Sequence, residues 1–152
     1  MINYLIRKAT HTDAPAISRT ITHTLRESNA QDYSPEIINQ VTQHFTPEAI
    51  LQWLTERQVL VATIDSRVVA TASMDKDVVR SVFVDPRYQG KGIGRHLMAQ
   101  IESSALDAGV EVLRVPSSIT AEGFYASLGF QKIRDEFHGA ERTIIMAKAL
   151  DL

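Results

Sequence analysis

The sequence contains no cysteine. That excludes disulfides, thiolate metal sites and a cysteine nucleophile together, and it is compatible with a reducing cytoplasm. Neither charge dominates: 16 Lys and Arg face 18 Asp and Glu, a formal net charge of −2. A nucleic-acid binder carries a basic surplus, so no nucleic-acid partner is expected. No run approaches the roughly 18 apolar residues of a membrane span. The opening Met1-Ile2-Asn3-Tyr4-Leu5-Ile6-Arg7-Lys8 sets no apolar segment behind a basic start, so neither a signal peptide nor a membrane partner is expected. Linkers, low-complexity tracts and internal repeats are missing as well. What remains is 152 residues, 44% of them hydrophobic, enough for one domain with its own core. Residues 1–152 are therefore read as a single domain and a soluble, cytoplasmic mature chain.

The hydrophobic period changes along the chain. Tyr4 to Ala9 reads as a first strand. A helix follows from Thr12-Asp13, with Pro15 in its first turn and Ile17, Ile21 and Leu25 forming one apolar stripe. Ser34-Pro35 and Thr46-Pro47 each place a hydroxyl cap before proline and open short helices over 36–44 and 48–57. Trp53, at helical spacing with Ile50 and Leu54, reads as core. After residue 57 the pattern becomes β-rich: 59–64 and 68–74 around an Asp65-Ser66-Arg67 turn, then 78–84, ended by Asp85-Pro86. A long helix spans 92–108 before Gly109. A strand over 112–115 is stopped by Pro116. A helix over 120–128 and strands over 130–135 and 142–148 complete the chain. The expected order is β-α-α-β-β-β-α-β-α-β-β. Hairpins together with crossover helices imply an α/β protein with a mixed sheet flanked by helices.

The stretch richest in chemistry is Val82-Phe83-Val84-Asp85-Pro86-Arg87-Tyr88-Gln89-Gly90-Lys91-Gly92-Ile93-Gly94-Arg95. A strand feeds a loop with glycine at 90, 92 and 94, and a helix begins at once. Such a loop lets the backbone approach a ligand, and the helix start offers unpaired N–H groups suited to phosphate. A tight strand-to-helix turn, with glycines kept for packing, would look the same. The nucleotide patterns fail here. A P-loop needs Ser or Thr after Gly-Lys, where Gly92 follows Lys91, and the G-x-G-x-x-G fingerprint would need glycine at Arg95 or Leu97.

Gln89-Gly90-Lys91-Gly92-Ile93-Gly94 instead resembles the Q/R-x-x-G-x-G/A motif of the GNAT acetyltransferase superfamily. Ala121-Glu122-Gly123-Phe124-Tyr125-Ala126-Ser127-Leu128-Gly129-Phe130 resembles that superfamily's A-x-x-F-Y-x-x-L-G-F segment, and the two stand in the expected order. The resemblance implies a GNAT-like acyl-CoA N-acyltransferase fold, with acetyl-CoA as cosubstrate and an amine, small molecule or peptide, as acceptor. It implies that the amides of Gly90, Lys91, Gly92, Ile93, Gly94 and Arg95 grip the pyrophosphate after Gln89. Main-chain groups of Val82, Phe83 and Val84 would hold the pantetheine arm and acetyl carbonyl, their side chains being core. Tyr125 would protonate the departing thiolate; packed beside Phe124, it would otherwise be structural.

Two positions depart from the superfamily pattern. Ser118 stands where an asparagine often bonds the pantetheine arm. The strand after the long helix carries no glutamate; Glu111 lies only at its edge. The general base is thus open: a water chain, Glu27 or Asp32 on the acceptor side, or none for an amine that arrives neutral. Arg95 and Lys91 read either as phosphate contacts or as solvated cations. The five histidines show no metal-binding spacing, so no metal is expected. Without a thiol carrier, direct attack by the amine is the expected route, with proximity its main contributor. A catalytically idle acetyl-CoA sensor is the alternative, and a homodimer through the C-terminal strands is the expected assembly.

Overall fold

The computed structural model describes residues 3–150. Seven strands form one sheet: β1 Leu5–Lys8, β2 Gln58–Ile64, β3 Arg67–Asp75, β4 Val78–Val84, β5 Val112–Ser117, β6 Gln131–His138 and β7 Glu141–Ala149. Their spatial order is β1-β2-β3-β4-β5-β7-β6. Every neighbouring pair is antiparallel except β4 and β5, which run parallel and are joined by the crossover helix α4, Ile93–Asp107. Among the described residues no helix is long and apolar enough to cross a membrane.

The segment between β1 and β2 holds the three helices that its apolar stripe and proline-led caps predict, one more than the expected element order counts: α1 Ala14–Glu27, α2 Pro35–Thr42 and α3 Pro47–Glu56. Each short helix starts as its cap dictates. The Ser34 hydroxyl accepts from the Ile37 amide at 3.3 Å, and Thr46 accepts from Ala49 at 3.2 Å. The start of α1 is pinned to the sheet by Asp13. Its carboxylate takes two bonds from Arg7, at 2.8 and 2.9 Å, and one from the Thr10 amide at 2.7 Å. The Arg7 bonds outweigh burial and, helped by Thr10, hold the Asp13 carboxyl at about 2.

Each face of the sheet buries its own apolar layer. On one face Leu97, Met98, Ile101 and Ala105 of α4 pack on Leu113, Val115, Ile144 and Met146. On the other, Ile17, Ile21 and Leu25 of α1 meet Ile50 and Trp53 of α3. Full burial of each large side chain contributes about 1.5–3 kcal/mol, so the stripes decide where the helices dock. Trp53 is buried, as its spacing suggests.

Two departures shape the functional region. Strand β5 does not stop at Pro116 but runs through it to Ser117, with Pro116 opposite Ile145 of β7. Proline is tolerated there because β4 has already left that side of β5; the one β4–β5 register pair is Val78 with Arg114. In β4 itself, Thr71 and Ser73 of β3 face Phe83 and Arg80, so one extra residue is accommodated, and Ser81 takes φ +52°. Such a bulge bends its strand, and here the bend coincides with the parting of β4 from β5. The fifth helix, α5, is shorter than its apolar pattern and covers Glu122–Ser127.

Candidate active site

The parted strands enclose a cavity of about 920 Å³. Its walls include Val82, Phe83 and Val84 of β4 and Val115, Pro116 and Ser117 of β5. Main-chain groups of β4 that face β5 beyond Val79 have no ladder partner; side chains of Gln89 and Thr24 take the Val84 carbonyl, which leaves the amides of Val82 and Val84 for a ligand. The side chains behave as core: Val82 and Val84 pack toward α4, and Phe83 packs toward α1 and α3.

At the end of β4 the glycine loop enters α4. Asp85 is buried and caps the turn, accepting from the Arg87 amide at 2.9 Å and pairing with its guanidinium at 3.1 Å. Gly90 and Gly92 sit at φ +75° and +87°, and a Cβ at either would meet no atom within 4 Å. Backbone conformation, not crowding, selects glycine at both positions. Gly94 differs. A Cβ there would stand 3.3 Å from two ring carbons of Phe124 and 3.4 Å from Val84, so this glycine allows α5 to seat against α4. Gly90, Gly92, Ile93, Gly94 and Arg95 all line the cavity. The amides that open α4 have no intrahelical acceptor, since the first helical bond is His96 to Gly92 at 3.0 Å, and Gly92 offers no side-chain cap. They form a positive rim suited to a phosphate.

Of the other expected contacts, Gln89, Arg95 and Ser118 line the cavity and Lys91 does not. Gln89 turns its amide back, donating to the Val84 carbonyl at 2.9 Å and the Ser28 hydroxyl at 3.2 Å; it staples the loop to β4 and to the end of α1. Lys91 is exposed and does not line the cavity. Arg95 lines it, with its guanidinium 3.3 Å from the Ser127 hydroxyl. Ser118 also lines the cavity, but its oxygen caps the turn before α5 by accepting from Ala121 at 3.1 Å. As a hydroxyl it keeps a proton to donate.

Tyr125 lies on α5 with only 4% of its surface exposed, wedged edge-on between Phe124 and Phe130. It lines the cavity, and no protein group bonds its hydroxyl among the described residues. Yet no fully buried side-chain polar atom is left unpartnered there. The hydroxyl therefore opens into the cavity. Burial pushes the phenol's proton affinity well above the ordinary tyrosine value, so it stays protonated.

Residues 29–148 match the family described as acetyltransferase (GNAT) domain. The chain belongs to the GNAT acetyltransferases. As such it is an acyltransferase, and its mixed sheet is that of the family. It is 29% identical over 106 residues to the uncharacterized N-acetyltransferase YafP of Escherichia coli, covering 62% of this chain and 67% of that protein. A GCN5-related N-acetyltransferase from Rhodopseudomonas palustris superposes with a TM-score of 0.93 at 23% identity, covering 99% of this chain and 98% of the other. YncA from Salmonella typhimurium, solved with its cofactor acetyl-CoA, gives 0.67 at 26% identity over 97% of this chain and 94% of its own.

On the opposite face of the sheet, this acetyltransferase lines the same cavity with residues that its sequence did not single out. His44, Phe45, Trp53 and Arg57 come from the α2–α3 region, Arg80 and Ser81 from β4, and His138, Glu141 and Thr143 from the β6–β7 hairpin. Tyr33 ties these parts together. Its hydroxyl donates to the Arg142 carbonyl at 2.8 Å and accepts from the Ile119 amide at 2.8 Å. Asp32 beside it accepts from the Thr120 hydroxyl at 2.7 Å. Neither Asp32 nor Glu27 lines the cavity, whereas Glu141 does. No short motif marks these residues; Tyr33 and the Arg142 carbonyl that it bonds stand 109 positions apart.

Proposed function

We propose that the protein transfers the acetyl group of acetyl-CoA to a primary amine by direct attack. The observation that carries this reading is the buried Tyr125 hydroxyl, unpartnered by protein and open to the gap between β4 and β5. The acetyl-CoA found in YncA supports the choice of donor. Acetyl-CoA supplies an activated carbonyl and a thiolate leaving group.

The chain's own groups divide the work. Amides at the start of α4 hold the pyrophosphate, and the Ser118 hydroxyl donates to the pantetheine arm. The main-chain N–H groups of Val82 and Val84, which face the parted β5, meet the negative charge that develops on the carbonyl oxygen as the amine attacks, while Phe83 is held in the ladder opposite Thr71 of β3. Holding amine and carbonyl together removes the entropy cost of their encounter. Tyr125 donates its proton toward the sulfur as the carbon–sulfur bond breaks. The attacking nitrogen loses one proton, and Glu141, His44 and His138 offer acceptors on that side. The products are the acetamide and free CoA thiol, and the proton taken from nitrogen passes through solvent to restore the Tyr125 hydroxyl.

A thiol-release assay over a panel of amines tests the transfer. Release of CoA that depends on the amine is the expected result. Tight acetyl-CoA binding with no release from any amine would overturn transfer and leave an idle sensor. The same proposal takes residues 1–152 as one cytoplasmic domain that pairs through its C-terminal strands. Strand β6 is one of the two outer strands of the sheet and exposes Ile133 and Phe137, at 58% and 64%. Light scattering at micromolar concentration is expected to give twice the chain mass. A value near 16.9 kDa would overturn the dimer.

A further inference from the structure

We infer that the amine acceptor carries an anionic group, held by Arg57 and Arg80 on the α3 side of the cavity; this rests on the acetyl-transfer reading above. Arg57 follows α3 directly, and its guanidinium lies over the Trp53 ring at 4.4 Å. One of its nitrogens reaches the Ser81 hydroxyl at 3.5 Å, at the β4 bulge. Arg80 is the neighbouring residue on that strand. Its side chain points away from Val79, which is buried toward α4, and so joins Arg57 on the face of α1 and α3. Both arginines line the cavity.

What marks the pair is that two neighbouring cations line the cavity without a counter-ion. Four arginines pair with carboxylates: Arg7 with Asp13, Arg87 with Asp85, Arg134 with Glu136 and Arg142 with Asp135. Of the others, Arg19, Arg26, Arg67 and Arg114 do not line the cavity, and Arg95 lines it at the glycine-loop end. Among the described residues no carboxylate lies within 4 Å of Arg57 or Arg80. Burial and the charge of Arg80 both lower the proton affinity of Arg57, against weaker support from Asp75 and Glu56. A half-buried cation stacked on tryptophan beside a second cation is unfavourable unless an anion joins them. The planar forks suit a carboxylate or a phosphate. Phe45 stands edge-on to both Trp53 and Phe83, which gives the site an apolar wall and strengthens charge pairing inside it. On the same face Glu141 is the carboxylate of the cavity wall, so opposite charges are available for the two ends of an amine that also bears an anion.

Trp53 is the chain's sole tryptophan and lies beneath Arg57, so its fluorescence reports the site without turnover. Two matched pairs of amines serve as probes: L-phenylalanine with L-phenylalaninamide, and O-phosphoethanolamine with ethanolamine. At least one anionic member is expected to titrate saturably, with its neutral mate at least about tenfold weaker. Which anion responds separates carboxylate from phosphate. Arg57→Gln and Arg80→Gln should each weaken that titration at least about tenfold, with acetyl-CoA affinity by calorimetry unchanged. Equal titration by neutral mates, no response to either anion, or glutamine variants that titrate like the wild type would each overturn the anion site. Failure of acetyl-CoA to bind would instead sink the transfer reading, and the fluorescence titration would still report on the arginines.

Discussion

Tyr125→Phe is expected to lower kcat by about 10²-fold while leaving acetyl-CoA affinity nearly intact, at the low end of what loss of a general acid costs. The structure sharpens both halves of that expectation. The tyrosine hydroxyl has no protein partner and opens into the cavity, so its removal breaks no bond in the folded protein. The phenyl ring keeps its edge contacts with Phe124 and Phe130, so stability should barely change. Burial raises the phenol's proton affinity, which keeps it protonated at working pH but makes it a weaker acid. A thiol is ordinarily more acidic than that, with a pKa near about 8.5 for a cysteine thiol. The hydroxyl therefore helps mainly by a hydrogen bond to the departing sulfur, which places the effect at the low end. For the same reason kcat of the wild type should show no loss from phenol ionisation as the pH rises to about 10. Steady-state turnover with calorimetry on Tyr125→Phe is the check. Wild-type kcat would end the acid role, and weaker binding at constant kcat would make Tyr125 a positioning residue.

Valine at Gly92 or Gly94 should weaken acetyl-CoA binding by at least about tenfold, or roughly 1.4 kcal/mol. The two substitutions reach that result by different routes. Gly92 lies at φ +87°, where a β-branched residue is strongly disfavoured, so valine would reorient the amides that open α4. Gly94 has an ordinary backbone but no room. Valine there must displace the Phe124 ring, which lies 3.3 Å from the added carbon, and with it the helix carrying Tyr125. Gly94→Val should therefore lower kcat as well as affinity, whereas Gly92→Val should act chiefly on affinity. Calorimetry on folded variants decides. Unchanged affinity in both would remove the loop from the cofactor site.

Helix stripes, proline-led caps and the strand–glycine loop–helix succession are local signals, and the sequence was sufficient for them. Ile17, Ile21 and Leu25 face one way because four-residue spacing leaves no other choice. The loop at 89–94 and Tyr125 on α5 also lie within short continuous segments, so their motifs were readable before any fold was known. Only the tertiary structure assigned jobs within those motifs. Gln89 turned out to brace the loop, and Gly94 to admit Phe124, because their partners Ser28 and Phe124 are 61 and 30 residues away in the chain. Pro116 stops a strand by every local rule, yet β5 continues through it where β4 has parted and its side of the ladder is empty. The acceptor face depended on the fold entirely. Arg57 lies between α3 and β2, Arg80 on β4 and Glu141 at the start of β7, and each is an ordinary charged residue in its own segment. They acquire a shared chemistry only when the sheet order and the β4 bulge bring them to one cavity, where the charge of Arg80 and partial burial bear on Arg57.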